Sequence, residues 1–189
     1  MGVGPTPLNW FVRVIAMEFY EVVRTRRSIR GFKPDPVPDD VLEKIFEAVR
    51  IAPSGSNRQP WRFILIKDPA MRKRVAEACG GQRWIAEAPV VVVGCGSDIK
   101  YNRGGWMGDR SVLVDVAIGF THLILAARAE GIGTCWIGDF DNAKLRELLG
   151  IPEGMNVAAV SPLGYPKDGG FTEPGKRKTL SEITSVDRY

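Results

Sequence analysis

Two patterns of apolar and polar positions alternate along the chain, one typical of helices and one typical of strands, and predict helices interleaved with strands. Apolar residues three and four positions apart predict helices over about 18–26, 39–52, 69–79, 109–130 and 141–150. Short apolar runs bounded by turn residues predict strands over about 61–67, 88–95, 133–138 and 156–166. The order contains no internal repeat and no linker. It predicts a single α/β or α+β domain over residues 17–189.

Two of these elements are apolar enough to predict burial. The run APVVVVGC at 88–95 is typical of a strand covered on both faces. The core of the helix at 109–130 is polar only at Asp115, Thr121 and His122, which indicates a buried helix or the core of an oligomer. Those polar residues disfavour a membrane span. We expect His122 to be a satisfied core or interface residue, and Asp115 to cap a buried contact or pair with a cation.

Residues 1–16 differ from the rest of the chain. Their apolar run, WFVRVIA, is far shorter than the ~20 residues that cross a bilayer. A signal peptide is disfavoured because no positive charge precedes the run and no small-residue cleavage site is convincing. We interpret this segment as an N-terminal extension, of the kind an upstream start codon would add, with Met17 opening the patterned region.

Composition narrows the possible functions. The chain has 189 residues, 44% hydrophobic and 25% charged, as expected of a globular domain. A single histidine and three scattered cysteines exclude the usual zinc and iron–sulfur sites. The odd cysteine count favours a reducing compartment, the cytoplasm, with Cys95 and Cys135 as core thiols. The net charge of +4 leaves nucleic acid, a membrane surface and a bound anion as candidate partners.

Two basic segments are candidate anion sites. The segment RTRRSIRGFK at 24–33 has five basic residues and no acid. In an extended stretch Arg26, Ser28 and Arg30 would face one side, where guanidinium groups and a hydroxyl suit a phosphate. The alternative is a solvated basic turn. The late segment GKRKTLSEI at 175–183 is either a solvated tail or a second cationic clamp on the same anion.

Two further segments combine glycine with polar side chains. The loop PSGSNRQPW at 53–61 suits a polar ring-edge ligand, or is an ordinary turn with local side-chain bonds. The segment GIGTCWIGDFD at 131–141 lacks the dinucleotide-binding spacing and closes a helix instead of opening one. Its Gly138, after a short strand, would present a backbone N–H to a ligand, although a simple turn is the plainer interpretation.

Five segments, taken in order, make the chain resemble the nitroreductase family of FMN-dependent flavoenzymes. They are RRSIR at 26–30, PSGSNRQPW at 53–61, the apolar helix with Asp115, AxxxGIGTCWIG at 127–138 and KRK at 176–178. The resemblance spans about Phe19 to Ile183. It implies an α+β fold, with a mixed and mostly antiparallel central sheet flanked by helices. It also implies a homodimer with FMN in clefts at the dimer interface.

The resemblance also assigns site residues. Arg26 and Ser28 match positions that hold the FMN phosphate and ribityl chain, with Arg27 adjacent, and Arg30 matches a cation beside the flavin pyrimidine. Gly138, with Ile137, matches backbone that donates to flavin N5, and Arg177, helped by Lys176, matches a late phosphate clamp. The loop that reaches the flavin, often from the other subunit, matches Pro53, Ser54, Ser56, Asn57 and Gln59.

The chemistry implied is transfer of a hydride from NADH or NADPH to the flavin, and then to a nitroaromatic, quinone or similar acceptor in a ping-pong scheme. Arg30 would stabilise the negative charge of the reduced flavin. The alternative is reductive dehalogenation or flavin fragmentation on the same fold, because related branches share these motifs. The loop at 96–108 is short for a substrate lid, although Tyr101 and Trp106 suit an aromatic substrate.

The placement of charge favours a bound anion over the other partners. Residues 24–33 and 176–178 carry eight of the 26 basic residues and no acid, so the rest of the chain has 18 basic residues against 22 acidic ones. A nucleic-acid surface would spread its charge more widely, and no helix-turn-helix, finger or stacking-sheet motif is present. We therefore expect one phosphate clamped from both ends of the chain, with no nucleic acid, membrane or metal partner.

Overall fold

A computed structural model describes residues 17–97 and 108–189. The extension at 1–16 and most of the 96–108 loop, with Tyr101 and Trp106, lie outside the described residues. The helices are α1 (Phe19–Thr25), α2 (Asp39–Arg50), α3 (Pro69–Ala78), α4 (Ser111–Ala129) and α5 (Asn142–Leu149). The strands are β1 (Trp61–Ile66), β2 (Val90–Ser97), β3 (Gly133–Thr134) and β4 (Met155–Gly164).

The four strands form one antiparallel sheet in the order β1-β2-β4-β3. The one parallel contact in the described part of the chain is an isolated bridge between Ser28 and Thr134, on the outer side of β3. Side chains of α2 and α4 pack on one face of the sheet, and those of α3 and α5 pack on the other. The predicted α+β class, with a mostly antiparallel sheet flanked by helices, is confirmed.

Strand β2 is the centre of the core. Its residues from Val90 to Gly96 are buried on both faces, as the apolar run predicted. Helix α4 lies so close above it that a Cβ at Gly96 would come within 2.4 Å of Val112 and one at Gly94 within 2.8 Å of Phe120. Glycine at these two positions therefore sets the depth at which α4 rests on the sheet.

Helix α4 is not buried all round within the single chain. It is long and apolar enough to span a membrane by length and composition, with a mean hydropathy of 1.7, and half of that stretch is buried inside the fold. It contacts α2 and β2, as the core helix of a globular protein does. However, Leu113 and Val114 remain 47% and 43% exposed. Of the two predicted roles, a wholly buried helix is therefore wrong for the single chain.

The sequence predicts Asp39 or Asp40 as the N-cap of α2, and Asp141 as the N-cap of α5 with Gly150 past its end. The prediction for α5 is correct. Asp141 caps α5 by accepting from the Lys144 N–H at 3.0 Å, and Gly150 ends it with φ of 62°. At α2 the predicted cap, Asp39 or Asp40, is wrong. The capping position is Pro38, without a side-chain bond, and the Asp39 carboxylate accepts a hydrogen bond from Lys67 on the sheet instead.

The predicted strand at 133–138 is too long. Strand β3 ends at Thr134, and Cys135 and Trp136 leave the sheet before Ile137 pairs again with Val160. The register places Cys135 opposite Pro162, which has no N–H to complete the ladder. The break therefore has its cause in the neighbouring strand.

Candidate functional site

The basic segment after α1 is extended and lies beside β3. The Ile29 N–H donates to the Thr134 carbonyl at 2.8 Å, next to the bridge between Ser28 and Thr134. Ile29 is buried against Gly133, where a Cβ would lie 2.9 Å from the isoleucine side chain. The glycine thus permits the close approach of this segment. With Ile29 turned inward, alternate residues of the segment face outward.

Three of the predicted site residues surround one buried thiol. Burial raises the pKa of Cys135, and Arg30, a hydrogen bond with the Ser28 side chain and Arg26 each pull that pKa back down. Arg26, Ser28 and Arg30 therefore lie on the same side of the segment, in agreement with their alternate spacing. Ser28 and Arg30 are exposed. The sequence did not indicate that Cys135 lies beneath these groups.

The Arg27 side chain holds the segment to the C-terminal part of the chain. Its Nε donates to the Glu173 carbonyl at 3.2 Å, and its Nη atoms donate to the carbonyls of Arg24 and Arg26. Glu173 also forms an ion pair with Arg24 through its carboxylate. All these acceptors belong to the protein, so the Arg27 side chain has a structural role. Its bond to Glu173 connects two segments that are 146 residues apart in sequence.

This connection brings the two basic segments together. Burial lowers the pKa of Arg27, and the nearby charges of Arg26 and Arg177 lower it further. Arg177 is exposed and donates to the carbonyl of Lys176, which is exposed as well. Converging guanidinium groups repel one another, and a bound anion would relieve that repulsion. The arrangement is therefore suited to a phosphate.

The sequence analysis missed Arg128, which supports this cluster from below. Arg128 is buried at the end of α4, and its Nε donates to Thr25 Oγ1 at 3.0 Å. Its guanidinium lies 4.0 Å from the centre of the Phe171 ring. One side chain thus packs the end of α1 and the start of the C-terminal segment against α4. A charged residue near the end of an apolar helix was the only signal in the sequence.

The loop at 53–59 is held by its own hydrogen bonds. The Gln59 N–H donates to Ser54 Oγ at 2.9 Å, and Gln59 Nε2 donates to both the carbonyl and Oδ1 of Asn57 at 3.1 Å. Ser56, Asn57 and Gln59 have φ of 54°, 54° and 49°. Left-handed backbone at residues with side chains is rare and stores on the order of 1–3 kcal/mol each. Pro53 and the loop tip are exposed.

Asp115 fastens this loop to α4. Its Oδ1 accepts a hydrogen bond from the Gly55 N–H at 2.9 Å, and the carboxylate is buried. The expected buried contact of Asp115 is confirmed. Asp115 and Arg128 are thirteen residues apart on one helix, a rise of ~20 Å. The loop and the basic cluster are therefore fastened at opposite ends of α4, and the single chain does not bring these two predicted parts of the site together.

The turn after β3 offers one backbone donor. The Ile137 N–H donates to the Val160 carbonyl at 2.9 Å, so that donor is used within the protein. Gly138 is exposed, and within residues 17–97 and 108–189 its N–H has no acceptor. A Cβ at Gly138 would lie 3.8 Å from the Trp136 indole nitrogen. Of the two predicted backbone donors, Ile137 and Gly138, only the Gly138 N–H is left to face solvent in the described part of the chain.

Within the residues that the structure describes, the histidine and the other two cysteines do not form a second centre. His122 Nδ1 is 3.0 Å from the Ala48 carbonyl, as expected of a satisfied histidine. Burial raises the pKa of Cys79 to about 12 and that of Cys95 to about 11, so these thiols stay protonated at neutral pH. Across the described part of the chain, no three His, Cys, Asp or Glu side chains group closely enough to hold a metal ion.

Comparison with known proteins shows which family this chain is similar to. The sequence profile of the nitroreductase family matches residues 23–107 and 80–165. A protein of Archaeoglobus fulgidus, provisionally named NADH dehydrogenase/NAD(P)H nitroreductase, is 38% identical over 157 residues, covering 80% of this chain and 87% of its own. Iodotyrosine deiodinase 1 of Rattus norvegicus is 28% identical, covering 91% of this chain and 70% of its own.

The fold matches solved structures as well. The NADPH:FMN oxidoreductase of Vibrio harveyi, solved in complex with NAD+, superposes with a TM-score of 0.80 at 26% identity. The match covers 90% of this chain and 77% of that enzyme. The profile match, the relative at 38% identity and the fold agree. The chain therefore belongs to the nitroreductase family.

Proposed function

We propose that this protein is an FMN-dependent oxidoreductase that takes electrons from NADH or NADPH and passes them to a small-molecule acceptor, such as a nitroaromatic or a quinone. The observation that carries the proposal is the convergence of Arg26 and Arg177, from the two ends of the chain, beside the exposed hydroxyl of Ser28. The names of the similar proteins, an NAD(P)H nitroreductase and an NADPH:FMN oxidoreductase, support the same chemistry.

The residues present fit the phosphate end of FMN. Glu173, the acid that contacts this cluster, is already paired with Arg24, so its carboxylate does not neutralise Arg26 or Arg177. A phosphate dianion would accept hydrogen bonds from these guanidinium groups and from the Ser28 hydroxyl. Lys176 adds a further cation beside Arg177. Arg27 contributes its charge and holds the two segments together.

The isoalloxazine end would meet a different set of groups. Bound FMN supplies the redox chemistry, because it accepts a hydride from a nicotinamide and returns electrons to an acceptor. Arg30 is exposed, with its guanidinium 6.0 Å from the centre of the Trp84 ring, and we assign it the role of stabilising the negative charge that hydride transfer brings. The free N–H of Gly138 would orient the ring as a donor. No side-chain base is required, which agrees with a single, already bonded histidine.

A complete site requires a second copy of the chain. The loop at 53–59 is fastened ~20 Å along α4 from the basic cluster, by the rise of the helix. Two α4 helices packed antiparallel would bring the loop of one protomer to the cluster of the other. The solvent-facing parts of α4 carry apolar side chains. Leu113 and Val114 are exposed near its start, and a separate groove of 340 Å³ lies along its second half, lined by Met17, Phe19, Val22, Ala48, His122, Leu125, Ala126 and Ala129. We therefore propose a homodimer.

The location of the protein is part of the same proposal. The three cysteines are buried and free, which fits a reducing compartment, the cytoplasm. Free thiols are tolerated where no oxidising machinery pairs them.

A second candidate activity is reductive dehalogenation. The similarity to iodotyrosine deiodinase 1 over 91% of this chain favours it specifically. The two activities would share the cofactor site and differ in the acceptor. Product analysis with a nitroaromatic, a quinone and an iodinated tyrosine separates them, since only the last releases iodide.

The visible spectrum of the purified chain tests the proposal. We expect a yellow protein with flavin absorbance that anaerobic addition of NADH or NADPH bleaches. Titration with each nucleotide separately measures the preference. A colourless protein that also fails to bind added FMN would overturn the proposed function.

Two arginine variants separate binding from chemistry. Arg26→Ala should weaken FMN binding with little effect on the rate at which bound flavin is reduced. Arg30→Ala should slow reduction by the nicotinamide more than it weakens FMN binding. Fluorescence titration gives the affinity, and anaerobic stopped-flow absorbance gives the rate. Unchanged reduction in Arg30→Ala would remove the role assigned to Arg30.

A further inference from the structure

The sheet is interrupted beside the candidate site at Cys135. Ile137 and Val160 exchange both backbone hydrogen bonds, so an antiparallel ladder would next pair Cys135 with Pro162. Beyond that position the ladder resumes at Thr134 and Leu163. Proline has no N–H, and β4 lies between β2 and β3 inside the sheet. A proline there removes one ladder bond, which is why prolines are rare on inner strands.

A buried hydroxyl fills the interruption. The Cys135 N–H donates to Ser161 Oγ at 3.2 Å, and Ser161 Oγ donates to the Pro162 carbonyl at 2.9 Å. Ser161 is completely buried. One side-chain hydroxyl therefore stands between a backbone donor and acceptor that would otherwise bond directly. It satisfies both groups and keeps Cys135 one hydroxyl away from β4.

This spacing is transmitted to the groups that face the ligand. Thr134, directly before Cys135, bonds to Ile29 and bridges Ser28, so the outer segment follows the position of this strand. The Cys135 side chain lies beneath Ser28, Arg30 and Arg26. On the other side, Trp136 is released from the sheet, and the turn that presents the Gly138 N–H begins. The Ser161 hydroxyl bonds to the Cys135 N–H and the Pro162 carbonyl, and neither of these groups is assigned to the cofactor.

We propose that Ser161 is a positioning residue, whose hydroxyl, inserted where Pro162 cannot complete the ladder, sets the placement of the Ser28 hydroxyl and the Gly138 N–H toward FMN. This role rests on the proposed function. It predicts that the inserted hydroxyl matters for FMN binding separately from its contribution to stability.

The first variant is Ser161→Ala, which removes the bridging hydroxyl and little volume. We expect faster amide exchange at Cys135 in the FMN-free protein, because its N–H loses its acceptor. We also expect FMN affinity to fall by about tenfold or more, the scale of one lost hydrogen bond in a binding site. Fluorescence quenching of added FMN measures the affinity.

The matched variant is Ser161→Ala combined with Pro162→Ala. It restores an N–H at position 162, so Cys135 and residue 162 can exchange both ladder bonds directly. The melting temperature of the FMN-free protein and the protection of the Cys135 amide should recover. FMN affinity should remain about tenfold weaker, because Cys135 and Trp136, which lie between the paired Thr134 and Ile137, are now drawn into the sheet. A purely structural serine would predict recovery of both.

Each result of these experiments supports or overturns the positioning role of Ser161. An unchanged FMN affinity in Ser161→Ala, recovery of that affinity in the double variant, or failure of the double variant to regain stability would each overturn the positioning role. If Ser161→Ala does not fold, the folded double variant decides alone by its affinity. If the unmodified protein itself does not bind FMN, the proposed function fails and the positioning role falls with it. Amide exchange at Cys135 in the FMN-free variants would then still report whether the hydroxyl bridges the ladder.

Discussion

The basic cluster around Arg26 and the loop at 53–59 are both held under strain, but the strain differs in kind. In the cluster it is electrostatic, since burial and then the charges of Arg26 and Arg177 lower the pKa of Arg27. In the loop it is conformational, since three residues with side chains take left-handed backbone angles. The cluster is assembled by contacts across the whole chain, whereas the loop is held by bonds to its own residues and one to Asp115.

The difference indicates that the basic cluster and the loop at 53–59 have separate roles in ligand binding. Repulsion between cations is relieved by an anion, so the cluster should supply affinity and respond to salt. A strained backbone is relieved by no particular ligand charge, so the loop should supply shape and be indifferent to salt. Four measurements test whether the cluster and the loop have these separate roles.

The largest effect is expected at Arg177. Arg177→Ala should weaken FMN binding by up to about 100-fold, because a charge-assisted bond to the phosphate is lost. The dependence of FMN affinity on salt should become shallower. The FMN-free protein should be no less stable, because one repulsive partner of Arg27 is gone.

Lys178→Ala is the matched control for Arg177→Ala. Lys178 is the exposed neighbouring cation but does not act on Arg27, so its removal should change affinity and salt dependence much less. Equal effects of the two variants would mean that general positive charge, not the cluster, binds the anion.

The next effect tests the fastening of the loop. Asp115→Ala leaves the Gly55 N–H without its carboxylate and should lower the free energy of unfolding by about 2 kcal/mol. Asp141→Ala, which removes an exposed cap of α5, should lower it less. Chemical denaturation measures both. Salt dependence of FMN affinity should stay unchanged in Asp115→Ala, and a shallower dependence would contradict the division of duties.

A smaller effect isolates the backbone strain. Asn57→Val and Asn57→Gly both lose the Oδ1 that accepts from Gln59 Nε2 and both keep the backbone carbonyl that also accepts, but only valine resists a φ of 54°. The valine variant should be less stable than the glycine variant by about 1 kcal/mol in denaturant unfolding. Equal stability would show that the loop is not conformationally strained.

The smallest effect is a change of pKa at Cys135. Arg30 lowers the pKa of this thiol, so Arg30→Ala should raise it, and the thiolate should form only at more alkaline pH. Nuclear magnetic resonance of labelled cysteine Cβ atoms follows the titration. Asp115→Ala, at the other end of α4, should leave the pKa of Cys135 where it is. A shift there instead would mean that the two regions are electrostatically coupled within one chain.

Features that depend on neighbouring residues were predicted well. The cap at Asp141, the left-handed Gly150 and the buried run of β2 each follow from residues within a few positions. The cap of α2 was wrong: the helix begins at Asp39, so Pro38 takes the capping position, and the Asp39 carboxylate pairs with Lys67, 28 residues away. The strand at 133–138 was too long because the residue that interrupts it, Pro162, belongs to another strand. Neither competitor is visible in a local pattern.

The candidate site divides in the same way. Alternate spacing placed Arg26, Ser28 and Arg30 on one side, and the structure gathers them around Cys135. The sequence did not indicate that Arg27 and Arg128 are the residues that hold the site together. Arg27 bonds to a residue 146 positions away, and Arg128 bonds to one 103 positions away. Side chains of the same type look alike in a sequence, whether they hold the fold or face a ligand.

The class of fold, the family resemblance and the concentration of positive charge in two short segments can be recognised without a structure. The meeting of these segments, their connection through Arg27 and Arg128, and the separation of the loop from the cluster along α4 become visible only in the folded chain. Periodicity, capping and turn chemistry act between residues a few positions apart, so a pattern reports them. Which charge meets which partner depends on contacts between distant residues, and those exist only after the sheet and α4 have packed.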